Sequence, residues 1–133
     1  MQAWLRIDPT AREPLFEQLV FRIQEAVARG DLAPQERVPS VRELAASLAI
    51  NPNTVGRAIS ELVMRGVLVR RQGTGCFVAA DVEVRATDAD CRALRERLHR
   101  ICVEACVRGL ESEVLSEWLE QELDELFRGR RSA

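Results

Sequence analysis

The chain has 133 residues, 47% of them hydrophobic, and a net charge of −2 from 19 arginines against 21 acidic residues. That length suits one domain, or one small domain with an appendage. No apolar run is long enough to span a bilayer and residues 1–5 lack the form of a secretory signal, so a cytoplasmic protein with reduced thiols is expected.

Residues 3–7 (AWLRI) alternate loosely, as a short strand or an extended arm would. A linker follows to Pro14, which suits the opening of a helix. Over residues 15–29, Leu15, Leu19, Ile23 and Val27 recur every four residues with Phe16, Val20 and Ala26 beside them, which predicts a core helix ended by Gly30. Residues 31–39, with two prolines, read as a connector. Ser40 followed by Glu43 predicts a capping box for a helix to about residue 48, with Val41, Leu44, Ala45 and Leu48 inward. Ala49-Ile50 forms a turn.

Asn51 is a suitable N-cap and Pro52 sits where its missing N–H costs nothing, so a further helix is predicted to about residue 65, stopping at Gly66. Val55, Ile59 and Leu62 share one side with Ala58 flanking, whereas Asn53, Arg57 and Ser60 share the other. An inward apolar stripe opposite an Asn/Arg/Ser stripe is what a groove-reading helix requires. Gly56 costs this helix about 1 kcal/mol against alanine. Either it permits close approach of something, or it is a tolerated defect. Residues 67–71 and 76–79 read as strands around Gln72-Gly73-Thr74-Gly75, a glycine-tipped hairpin flanked by Arg70 and Arg71. Helix, turn, helix and hairpin together describe a winged helix-turn-helix.

Residues 81–88 are charged and weakly patterned, and are read as the domain boundary. Two amphipathic helices are predicted beyond it, over 89–108 and 112–127, broken by Gly109. Their apolar residues are Leu94, Leu98, Ile101, Cys102 and Ala105 on the first, then Val114, Leu115, Trp118, Leu119, Leu123, Leu126 and Phe127 on the second. Such an αα-hairpin has little of its own to bury this face against, and a second copy is the economical solution. Residues 128–133 read as a frayed polar tail. The fold class is therefore mainly α with a small β-wing: a winged helix-turn-helix over 1–80 and a helical dimerisation domain over 81–133.

Charge follows this division. Residues 1–80 carry ten arginines against eight acidic residues, and residues 81–133 carry nine against thirteen. Basic charge thus lies where a duplex would be met. The chain has no lysine, which is read as codon usage rather than as a binding signal. The candidate DNA-contacting residues are Ser40, Arg42, Asn51, Asn53, Thr54, Arg57, Arg70, Arg71, Gly73, Thr74 and Gly75. They are hydrogen-bond donors near two helix N-termini, where free N–H groups also favour phosphate, or they belong to the wing. The candidate dimerisation residues are Leu94, Leu98, Ile101, Cys102, Ala105, Leu115, Trp118, Leu119, Leu123 and Leu126.

Enzyme chemistry finds no support: there is one histidine, no tyrosine, and no phosphate-cradling GKS or GKT. His99, Cys102 and Cys106 fall within about 60° on one helix face, a spacing open to a soft metal or thiol switch. Cys91 shares that face but lies about 22 Å from Cys106, too far for the same ion. The preferred reading is that Cys102 and Cys106 pack as small hydrophobes in a dimer core, with no metal and no cofactor. A regulator gated by thiol or metal through Cys102 and Cys106 stands as the alternative. A two-helix hairpin has little concave volume, so any small-molecule effector, unidentified from the residues, would sit between domains or at the dimer interface.

The segments Pro39-Ser40-Val41-Arg42-Glu43-Leu44-Ala45, Ile50-Asn51-Pro52-Asn53-Thr54-Val55, Arg57-Ala58 and Gly73-Thr74-Gly75-Cys76-Phe77-Val78 resemble the GntR family of bacterial transcription regulators. The short helical C-terminal part and the INPNTV wording look like its YtrA-type subfamily. The resemblance implies a homodimeric repressor that binds palindromic double-stranded operator DNA. It also implies that Arg42 reaches DNA, that Asn53 and Thr54 open the recognition helix, and that Gly73 and Gly75 form the wing tip. The chain departs from the pattern at Gly56, where some branches carry a DNA-contacting arginine, and at Ile59 and Val63, where subfamily members often carry Tyr and Glu.

Overall fold

The computed structural model describes residues 3–80 and 86–131, in two compact units, Met1–Val84 and Arg85–Ala133. Most of the stretch read as the boundary, residues 81–85, lies outside the described residues. Among the described residues, no helix is long and apolar enough to cross a membrane.

The first unit runs α1 (Leu15–Arg29), β1 (Arg37–Val38), α2 (Val41–Leu48), α3 (Pro52–Met64), β2 (Leu68–Arg71) and β3 (Gly75–Val78). Helix α3 is its centre: α1, α2 and β2 all pack on it. The four-residue repeat of α1 buries Leu19 and Ile23 completely, and the inward stripe of α3 does the same with Val55, Ala58 and Leu62. Burying each of the larger side chains contributes about 1.5–3 kcal/mol of transfer free energy. Leu32, Val38, Leu44, Leu68 and Val78 close the same cluster from the loop, the sheet and α2.

The sheet is antiparallel in the order β1-β3-β2, with Arg37 opposite Phe77 and Arg71 opposite Gly75. Strand β1 lies within the stretch read as a connector. Two residues carry no periodicity, and it is a strand only because β3 pairs with it. Residues 3–7 form no strand; Ala3 and Trp4 lie in a turn and Leu5 after them is buried. Gln18, itself buried, pins the chain around Asp8. Its Oε1 accepts from the Asp8 N–H at 2.8 Å, while its Nε2 donates to the carbonyls of Asp8 and Glu13, each at 2.8 Å.

The capping box expected at α2 forms only in half. Ser40 Oγ accepts from the Glu43 N–H at 3.1 Å, but the Glu43 carboxylate faces Arg37 instead of turning back. The turn into α3 places Ala49 at φ 55°, and Asn51 then caps α3 by accepting from the Asn53 N–H at 2.8 Å.

The second unit is α4 (Asp88–Val107) and α5 (Ser112–Arg131), joined at Gly109. Thr87 and Asp90 form a complete capping box at the start of α4. Helix α5 runs on to Arg131, past the point where a frayed tail was expected, with Arg128 bonded to Asp124 one turn back at 2.7 Å. No described side chain of this unit is buried; Ala105, Leu110, Val114, Leu115 and Leu126 are half-buried at most. Leu94, Leu98, Ile101, Trp118, Leu119 and Leu123 are all exposed, Trp118 by 53%.

Candidate nucleic-acid interface

Three surfaces of the first unit carry the polar residues singled out above: the first turn of α2, the outward stripe of α3, and the wing. On α2, Ser40 is spent on its cap, while Arg42 is exposed and, among the described residues, makes no hydrogen bond or ion pair. On α3, Asn51 is likewise spent on a cap, Asn53 is exposed and Thr54 half-buried. Arg57 and Ser60 are exposed one and two turns further on, and Gly56 lies between them and Asn53 on the same stripe.

The wing tip follows from its glycines. The Thr74 N–H closes a turn onto the Arg71 carbonyl at 3.1 Å, with Gly73 at φ 77° and Gly75 at φ 115°, conformations that a side chain strains. The Thr74 hydroxyl donates to the same carbonyl at 3.3 Å. Arg71 lies over the ring of Phe77, its Cζ 4.6 Å from the centroid.

Two arginines join the three surfaces. Arg70 on β2 donates through Nη2 to Ser60 Oγ at 2.7 Å, tying the wing to the outward stripe of α3. Arg37 on β1 donates through Nε to the Thr74 carbonyl at 3.4 Å and pairs through Nη2 with Glu43 Oε1 at 3.5 Å, tying the wing tip to the first turn of α2. The ion pair is solvent-exposed and is worth at most about 1 kcal/mol. Its significance is positional, since Glu43 adjoins Arg42. Arg37 was absent from the sequence-derived candidates. Its charge was visible, but Thr74 is 37 residues away in sequence and becomes its neighbour only when β1 pairs with β3, while Glu43, six residues on, is reached from the strand that this pairing creates. Arg57 has a partner too: its Cζ sits 4.9 Å from the ring centroid of Phe16 on α1.

Cys76 on β3 is half-buried, and desolvation pushes its thiol pKa up, against the smaller pull of nearby Arg70. It packs against the core as a small hydrophobe. In the second unit, His99, Cys102 and Cys106 are exposed, and among the described residues no three His, Cys, Asp or Glu side chains come together as a metal-holding group.

Comparison with known proteins agrees with this geometry. The family model described as bacterial regulatory proteins, gntR family, matches residues 15–78. The HTH-type transcriptional repressor YtrA of Bacillus subtilis (strain 168) is 31% identical over 117 residues, covering 88% of this chain and 90% of that protein. Among solved structures, a transcriptional antiterminator from Listeria monocytogenes EGD-e superposes with a TM-score of 0.83 at 26% identity, covering 95% of this chain and 94% of that one. The DNA-binding domain of AraR in complex with an operator superposes with a TM-score of 0.50 at 30% identity, covering 56% of this chain and 93% of that one.

Proposed function

The chain belongs to the GntR family of bacterial transcription regulators, and from that premise we propose that it is a homodimeric repressor acting in the cytoplasm on a palindromic operator. The observation that carries the DNA-binding half of this reading is the joined surface of α2, α3 and wing. Arg42 stands on it as an unpartnered guanidinium, suited to phosphate, and Asn53 opens α3 with its side chain exposed, suited to a base edge. The α3 stripe enters the major groove, and the wing, carrying Arg70, Arg71 and the Gly73–Thr74–Gly75 tip, lies along the flanking backbone. Ser40 and Asn51 act indirectly, fixing the helix N-termini at which Arg42, Asn53 and Thr54 stand.

Homodimerisation is supported by the second unit, whose apolar side chains find no cover within it. Leu94, Leu98 and Ile101 on α4 and Trp118, Leu119 and Leu123 on α5 meet their counterparts in a second copy, with Cys102, Ala105, Leu115 and Leu126 completing the contact. Two copies of one reading head on a two-fold axis match an inverted repeat.

The test pairs two measurements on the full chain. Fluorescence anisotropy compares duplexes enriched from a random pool with random duplex of the same length. Light scattering on the eluting protein gives its mass. The expected result is a dimer with strong preference for an inverted repeat. A monomer at micromolar concentration, or equal affinity for selected and random DNA, rejects the proposal.

A further inference from the structure

Gly56 is an expense with no return inside this molecule. It lies within α3, where glycine is a poor choice, and its backbone is ordinary helix rather than a conformation only glycine adopts. A Cβ built on it meets no atom within 4 Å beyond its chain neighbours and the surrounding helix backbone, so no neighbouring element needs the room. The gap opens instead on the outward stripe, ringed by the exposed residues Asn53, Arg57 and Ser60. None of their side chains folds over it: Arg57 is drawn onto Phe16 of α1, and Ser60 Oγ is held by Arg70.

The chemistry of the gap selects what fills it. Gly56 is the fifth residue of α3, so its N–H and its carbonyl are both spent in the helix ladder. Its floor offers no free donor or acceptor, only Cα–H and backbone. Of the groups that base pairs display in the major groove, all but one are hydrogen-bond donors or acceptors that would lose their water against such a floor; the exception is the C5-methyl of thymine. Resting on the proposed DNA-binding role, we propose that Gly56 is a specificity-determining position that seats a thymine methyl in each half-site.

The experiment uses the full chain and the duplex that it enriches from a random pool. Each thymine of the half-site is replaced in turn, symmetrically, by deoxyuridine, which removes the methyl and keeps the pairing. At one thymine the wild type is expected to lose about fourfold in affinity per half-site, the equivalent of one buried methyl group. Gly56→Ala is expected to melt at a higher temperature, to bind the thymine duplex more weakly, and to lose or reverse the preference for thymine over deoxyuridine at that position alone. A wild type that binds its selected duplex but ignores every deoxyuridine overturns this proposal and leaves the DNA-binding role standing. So does a Gly56→Ala protein that binds like wild type with the thymine preference intact. A lower melting temperature for Gly56→Ala removes the premise that the space is empty in the fold. A wild type with no sequence preference removes both proposals together.

Discussion

The guanidinium of Arg57 lies over the ring of Phe16, Cζ to centroid 4.9 Å, so that the outward stripe of α3 is anchored to the first turn of α1. Arg57 is thereby oriented before any duplex arrives. A double-mutant cycle with Arg57→Ala and Phe16→Leu should give a coupling energy of about 0.5–1 kcal/mol in chemical denaturation. Arg57→Lys, which keeps the charge but not the flat stacking surface, should recover only part of it. A coupling indistinguishable from zero would show that the stacking is incidental.

Arg42 presents the opposite case, an exposed cation with no partner to lose. Arg42→Ala should leave the melting temperature within a degree or two of wild type, as expected for a surface change of less than about 0.5 kcal/mol. Its effect should appear in DNA binding, as weaker affinity for all duplexes and a salt-dependence slope reduced by about one. Titrations at several salt concentrations check this; an unchanged slope would exclude a phosphate contact.

Ala49 turns the chain between α2 and α3 at φ 55°, ψ 44°, a left-handed conformation that costs an L residue roughly 1–2 kcal/mol. Its side chain is exposed and forms no part of the core. Ala49→Gly should therefore raise unfolding free energy by about 0.5–1 kcal/mol, the relief of strain less the extra entropy of the unfolded chain. Urea denaturation of the two proteins measures it, and a destabilised variant would contradict the assigned strain.

The Thr87–Asp90 capping box gives α4 an acid-sensitive start. Hydrogen bonds from the Thr87 N–H and then from its hydroxyl hold the Asp90 carboxyl below the usual aspartate pKa. A lowered folded value means that the stabilisation is present above the unfolded pKa and is lost as pH falls through the folded one. Helicity followed by circular dichroism from pH 7 to pH 2 should decline in that acid range. Asp90→Ala should start lower at pH 7 and lose less on acidification; equal acid losses would place the titration elsewhere.

How far the sequence could be read depended on how local each determinant was. The bounds of α1, α2 and α3 were legible because apolar repeats and caps such as Asn51 and Gly30 act within a turn of where they are written. Strand β1 was not, since Arg37-Val38 becomes a strand only by pairing with residues about forty positions away. The same distance hid the Arg37–Thr74 bond that links the wing to β1, and Arg37, so placed, faces the Glu43 carboxylate that the capping box would have used. The burial of Gln18 has no local signal, because it depends on the chain around Asp8 lying against α1. The last turn of α5 was missed because it is held by a charged pair, Asp124 and Arg128, and not by an apolar repeat.

The two units also differ in what a melting curve would see. The first carries its own core, so its unfolding is a property of one chain and should be indifferent to dilution. Among the described residues the second has no buried side chain, so it has little core of its own to draw folding free energy from. Mass action then governs its order: the midpoint at which α4 and α5 melt should climb with protein concentration while that of the first unit stays fixed. If the second unit pairs as proposed, the abundance of the chain is itself an input, because the order of that unit would then depend on how many copies are present.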